Sequence, residues 1–190
     1  TRVAALQSRP TEAVAAAAEQ LLHYAATWPE AELVYHASDM VLRVHSDASF
    51  NSEPNARSRA GGFFYLGDHS APDLINGGIL ANSKVISSVV CAASEAEYGS
   101  LFKNGQAAAP LRYTLADLGH PHQQPTPITT DNSVAAGIAN DTVTQRRSKA
   151  TDMRFHWIRD RVRQGQFAVL WKPGHQNLAD YFTKVPVQHF

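Results

Sequence analysis

The chain has 190 residues, 44% hydrophobic and 18% charged, and its 17 basic and 17 acidic residues give a formal net charge of zero. That length supports one full core with a short appendage, and the balanced charge argues against a protein that binds polyanions with its whole surface. No apolar stretch approaches bilayer length, the N-terminus lacks a signal-peptide pattern, and a lone Cys91 excludes an intrachain disulfide or a multi-thiolate zinc site. A soluble, non-redox domain in the cytoplasm or enclosed in a particle is expected, with no membrane partner; oligomeric state is not legible.

The Ala-rich start predicts a helix. Thr11 can cap it, Glu12 sits in its first turn, and Val14, Ala18, Leu21, Leu22 and Ala25 recur at helical spacing before Pro29. Residues 33–36 and 40–50 read as strands joined by a turn at Ala37, Ser38 and Asp39, giving a helix and hairpin that lead into the main domain. A polar, flexible stretch follows over 51–58. Residues 61–66 and 74–80 read as further strands, the second weakened by Gly77 and Gly78, so an antiparallel meander is expected.

Residues 94–109 have a helical pattern, and Pro110 is read as starting a second, short helix that ends near Gly119. A turn-rich link through Pro121, Pro125 and Pro127 leads into a short strand at 128–131. Helices are expected over 132–139 and 150–164, a fifth strand over 166–171, and a last helix over 176–184. Three antiparallel strands followed by strands alternating with helices indicate an α/β fold: a five-stranded mixed sheet, three strands antiparallel and then two parallel, with helices on both faces.

Four acids fall at telling places in this order. Asp47 lies within the first strand of the sheet, Glu97 opens a helix, Asp131 ends a strand, and Asp180 opens the final helix. An acid inside a central strand is costly without a cation, and four carboxylates folded together repel one another unless ions such as Mg²⁺ neutralise them. A two-metal phosphodiester-hydrolysing site needs this equipment.

The runs HSDASF (45–50), SEAEY (94–98), TDNSVA (130–135), RSKATDMRFHWIRD (147–160) and NLADYFTK (177–184) resemble, in order, the ribonuclease H domain of copia-type retrotransposon polyproteins. The resemblance spans nearly the whole chain. It implies a ribonuclease H domain over 37–190, preceded at 1–36 by a remnant of the connection to reverse transcriptase. It further implies an endonuclease that hydrolyses the RNA strand of RNA/DNA hybrids with two Mg²⁺ ions, for which Mn²⁺ can substitute, and the reverse transcriptase portion of the polyprotein as a partner. By resemblance Asp47 bridges both metals, Asp180 helps hold the one on the attacking side, and Glu97 with Asp131 hold the one beside the leaving oxygen. His175 matches a histidine that assists proton transfer or product release, although its spacing of five residues from Asp180 is shorter than in cellular enzymes. Ala150 stands where copia-type sequences usually carry histidine, and no basic helical protrusion is evident.

Structural readings compete at each position. Ser94 and Glu97 form an S-x-x-E capping box, in which case Glu95 would be the ligand. Asp131 can cap a turn, and Asp180 can belong to a solvated face. Ser94 can instead offer helix N–H groups to a DNA phosphate, and Asn132 can contact a ribose 2′-OH or cap the next helix. From Arg146 to Arg163 seven basic residues face two acidic ones, so Arg146, Arg147 and Lys149 are candidate phosphate contacts, with ion-paired solvation as the alternative. Trp157 and Trp171 read as core, His120 and His122 as solvent-facing, and His156 as packed between helix and sheet. A D-x-E exonuclease pattern is absent, since Asp47 is followed by Ala48 and Ser49. A non-catalytic module of the same fold, binding nucleic acid or bracing a polymerase, is the alternative from another class; such modules usually lose a ligand, and here all four are present.

Overall fold

The computed structural model describes residues 2–143 and 153–184. The chain divides into two compact units, residues 1–34 and 35–190. The first holds α1 (Arg2–Ala5) and α2 (Glu12–Thr27). The Thr11 hydroxyl accepts from Val14 N–H at 3.3 Å, capping α2 as its sequence suggests, and no residue of α2 is buried.

The second unit is built on β1 (Val41–Glu53), β2 (Arg57–Gly67), β3 (Gly78–Ile86), β4 (Thr126–Thr130) and β5 (Phe167–Trp171), in the spatial order β3–β2–β1–β4–β5. The first three pair antiparallel, β4 is parallel to β1, and β5 is parallel to β4. Three α-helices, α3 (Ala93–Asp117), α4 (Ser133–Ala139) and α5 (Met153–Arg163), and 3-10 turns at Pro54–Ala56, Gly174–Gln176 and Leu178–Phe182 complete it among the described residues.

The two-residue period of β1 sorts its side chains. Leu42, Val44 and Ser46 point toward α3: the first two are fully buried with Phe64, Leu101 and Ile128, and Ser46 Oγ donates to Ser100 Oγ at 3.1 Å. Each such apolar side chain contributes about 1.5–3 kcal/mol on burial. His45 and Asp47 point to the opposite face, which the terminal 3-10 turns cover: Leu178 N–H donates to His45 Nδ1, and the Thr183 hydroxyl to Asp47. On α3 the buried positions Glu97, Leu101, Asn104, Gly105 and Ala108 recur at three and four, and Gly105 lets α5 approach, since a Cβ there would lie 2.8 Å from Ile158 Cδ1.

Several boundaries differ from the sequence reading. Residues 33–36 form no strand, so no hairpin precedes the sheet; Asn76 instead bonds both His36 N–H and His36 C=O, satisfying backbone that a strand partner would otherwise satisfy. The 51–58 stretch is no flexible link, because β1 continues to Glu53 and a tight turn leads straight into β2, tied by a buried Arg59–Glu53 ion pair at 2.7 Å. The third strand starts at Gly78, not 74. Pro110 starts no new helix: α3 runs through it, with Pro110 and Gln106 both exposed so that the carbonyl left unpaired faces water, while Ala108 and Leu115 anchor the helix in the core. The expected final helix is two 3-10 turns separated by Asn177, whose backbone is extended and whose side chain caps the second.

Candidate metal centre

Asp47, Asp131 and Asp180 each offer a carboxylate oxygen within 4.8 Å of the others, the one such cluster of potential metal-binding groups among the described residues. Three separate elements deliver them. Asp47 sits mid-strand on β1, where the Ser100 hydroxyl bonds its carbonyl at 2.6 Å. Asp131 follows the last residue of β4, and Trp171 Nε1 on β5 donates to its carbonyl at 2.9 Å. Asp180 lies in the Leu178–Phe182 turn, where Lys184 Nζ approaches its Oδ2 to 2.6 Å. Gly174 backs onto this cluster, since a Cβ there would lie 3.0 Å from Asp131 Oδ2.

Glu97 is buried on α3, outside that three-residue cluster but beside β1. Its Oε1 accepts from Ala48 N–H at 3.1 Å, and its Oε2 is buried with no partner. The capping-box reading is thereby corrected: α3 begins one residue earlier, Ala92 is its N-cap, and Glu97 turns to β1 instead of Ser94. Glu95 reaches back past the N-cap, its Oε2 accepting from Cys91 N–H at 2.7 Å.

The electrostatics are those of acids short of positive charge. Burial pushes Glu97 up to about 9, reinforced by Asp47 and Asp131. Burial also raises Asp47 to about 6, opposed by the Thr183 hydrogen bond and reinforced by Asp180 and Asp131. Asp131 is raised by burial and by Asp180. The donor atoms are all carboxylate oxygens, and Glu97 Oε2 and Asp180 Oδ1 are both buried without a partner, so the set suits a hard divalent cation.

The other candidates fall as follows. His175 is exposed on the Gly174–Gln176 turn, its Nε2 3.3 Å from Gln176 Nε2. Ser94 is half-buried in the first turn of α3. Asn132 caps α4, with its Oδ1 accepting from Ala135 N–H at 3.0 Å. Arg146, Arg147 and Lys149 lie outside the described residues. Farther along the basic run, Arg159 and Arg163 both pair with Asp141, as the ion-paired alternative requires. Trp157 packs edge-on against Phe102 in the core, but Trp171 is 54% exposed, because it ends its strand beside the cluster. His156 is exposed, not packed. His120 is exposed, whereas His122 is half-buried with its Nε2 unpartnered. Sequence reasoning overlooked Thr183, Asn177, His45 and Lys184; the NLADYFTK run contains three of them, but only the folded chain reveals which atoms they meet.

The sheet order and connections are those of the ribonuclease H fold. The chain superposes on LC11-RNase H1, isolated from compost by a metagenomic approach, with a TM-score of 0.56 at 12% identity, covering 75% of this chain and 92% of that one. It matches a second structure of that protein, in complex with RNA/DNA hybrid, with a TM-score of 0.53 at 10% identity over 74% of this chain and 92% of the other. Its homologues are copia-type retrotransposon Pol polyproteins. It is 28% identical over 153 residues to the retrovirus-related Pol polyprotein from transposon TNT 1-94 of Nicotiana tabacum, which covers 80% of this chain and 11% of that polyprotein. It is also 28% identical over 185 residues to that from transposon RE1 of Arabidopsis thaliana, covering 96% of this chain and 12% of the relative. The chain thus spans about a ninth of these relatives' length. No family model matches it.

Proposed function

We propose that this chain is a divalent-metal endonuclease that hydrolyses the RNA strand of RNA/DNA hybrids during retrotransposon reverse transcription. The observation that carries the reading is the convergence of Asp47, Asp131 and Asp180 beside the buried, unpartnered Glu97 Oε2 on a ribonuclease H sheet. Asp47, Glu97, Asp131 and Asp180 are the residues that would hold two Mg²⁺ ions, with Mn²⁺ as a substitute. When bound, such ions activate water, orient the phosphodiester and stabilise the charge of an in-line displacement.

The protein's own contribution is preorganisation. Ser100 and Glu97 fix β1 around Asp47 through the Asp47 carbonyl and the Ala48 N–H, Trp171 holds the Asp131 backbone, and Lys184 offsets part of the charge on Asp180. His175, exposed next to Gly174, is proposed to move protons or assist product departure. Ser94 with the α3 N-terminus, Asn132, Arg146, Arg147 and Lys149 are the proposed nucleic-acid contacts, Asn132 at a ribose 2′-OH. Residues 1–36 are read as a connection segment toward the reverse transcriptase portion of a Pol polyprotein, and 37–190 as the nuclease domain. Among the described residues no helix is long and apolar enough to cross a membrane; action in the cytoplasm, within virus-like particles, is proposed.

The test is incubation with labelled RNA/DNA hybrid, duplex RNA, duplex DNA and single strands, in Mg²⁺, Mn²⁺, Ca²⁺ or chelator. Cleavage of the RNA strand of the hybrid alone, in Mg²⁺ or Mn²⁺ and not in chelator, is expected. Tight hybrid binding without cleavage in any metal would instead identify a non-catalytic module.

A further inference from the structure

We infer that Asn177 is a positioning residue that sets Asp180 against Asp47, and so governs divalent-cation affinity at the centre. The inference rests on the metal-binding reading above. Asn177 is buried, at 3% exposure, in the segment between the two terminal 3-10 turns. A buried carboxamide must find partners for both ends, and this one divides them between two segments. Its Nδ2 donates to the carbonyl of Ser46 at 2.9 Å, on the residue immediately before Asp47. Its Oδ1 accepts from Ala179 N–H at 3.2 Å, on the residue immediately before Asp180, and its backbone carbonyl accepts from Asp180 N–H at 3.2 Å.

One side chain therefore bridges the neighbours of two carboxylates that are far apart in sequence. A parallel tether lies one residue along on each segment, where Leu178 N–H donates to His45 Nδ1 at 3.1 Å. Together they fasten the Leu178–Phe182 turn to β1 at consecutive residues, His45 and Ser46, leaving little freedom for Asp180 to swing away. That restraint has an electrostatic purpose. Asp47 and Asp180 repel each other before a cation arrives, and an unfastened turn would relax outward and have to be drawn back on binding. Asn177 thus keeps the carboxylates close in the cation-free protein.

The experiment compares the full chain with Asn177→Ala and Asn177→Ser, using Asp47→Asn as the reference for ligand loss. Serine retains an oxygen able to cap Ala179 N–H but is too short to reach the Ser46 carbonyl. Mn²⁺ binding is measured directly by titration calorimetry or by paramagnetic resonance of the free ion, alongside thermal melts and hybrid cleavage across Mg²⁺ concentrations. Both Asn177 variants are expected to bind Mn²⁺ about tenfold more weakly. Their cleavage at limiting Mg²⁺ should fall in proportion and recover at high Mg²⁺, with KM for the hybrid unchanged. Native Mn²⁺ affinity in a folded Asn177→Ser protein overturns the inference, and so does failure of both variants to fold, which makes Asn177 a folding residue. If the unmodified chain itself binds no Mn²⁺, the metal-centre reading falls first and the tether falls with it; if the unmodified chain binds, Asp47→Asn does not, and Asn177→Ser binds like the parent, only the tether falls.

Discussion

The Thr183 hydroxyl donates a hydrogen bond to the Asp47 carboxylate across 136 residues of sequence. It opposes the rise that burial imposes on Asp47, and so favours the ionised form that a cation requires.

Asp47→Asn removes the carboxylate at the middle of the cluster together with its repulsion toward Asp131 and Asp180. Cleavage of hybrid should drop below detection while the melting temperature holds or rises, since a neutral amide is cheaper to bury. Mg²⁺-dependent turnover by a pure, folded variant would remove the metal-centre assignment.

Glu97 and Glu95 separate cleanly. Glu97→Gln should lower kcat by at least about a hundredfold, because the unpartnered Oε2 would no longer serve a cation. Glu95→Gln should leave turnover near native and stability within about 0.5 kcal/mol, since the glutamine amide oxygen can still accept from Cys91 N–H and only the charge is lost. Denaturant melts and single-turnover rates on both proteins decide the matter; the reverse pattern would make Glu95 the ligand.

Without divalent cation, stability should fall as pH rises from about 6.5 to about 9. In that window folded Glu97, raised to about 9, keeps a proton that its unfolded form, titrating near the ordinary glutamate value of 4.5, has already lost. The unfolded state therefore binds fewer protons, and the slope approaches about 1.4 kcal/mol per pH unit for one group. His45, held at about 4 by burial and by Lys172 and Arg43, adds the opposite slope only below its ordinary 6.5. Thermal melts in chelator should show the decline, Glu97→Gln should flatten it, and Mg²⁺ should reverse it at the alkaline end.

His175→Ala should lower kcat about tenfold or more with hybrid affinity little changed and the acidic limb of the pH–rate profile altered. An exposed residue of this kind contributes little to stability, so the melt should not move. A native pH–rate profile would leave His175 without a role in turnover.

Ala56 sits at φ 52° after Asn55 at φ 60°, in the turn joining β1 to β2. Left-handed backbone strains alanine and not glycine, so Ala56→Gly should stabilise by about 1 kcal/mol without touching catalysis. A lower denaturation midpoint would contradict that strain.

The convergence of Asp47, Asp131 and Asp180 was legible because an acid in a strand centre and acids at strand and helix ends have few cheap explanations, and the motif order narrowed them further. The sheet was legible in type and pairing for the same reason: alternation and turn residues are local signals. Residues 33–36 misled because their apolar run says nothing of Asn76, 40 positions from His36, which takes the place of a strand partner for the His36 backbone. Pro110 misled because its cost depends on whether the orphaned carbonyl meets water, which only the helix's orientation decides. Asn177, His45 and Thr183 act through contacts spanning more than 130 residues, and no spacing rule on a linear chain exposes those.

Because Asp180 arrives on the segment that follows β5, the cluster is completed in time as well as in space. A growing chain can pair β1 to β3 and dock α3 while holding Asp47 and Glu97 with no neighbouring carboxylate from the later strands. Such a partly made molecule has a sheet but no place for a cation. The three-carboxylate cluster thus comes together only when the last turn closes against β1, and a chain ending between β5 and Asp180 would hold two of its three members.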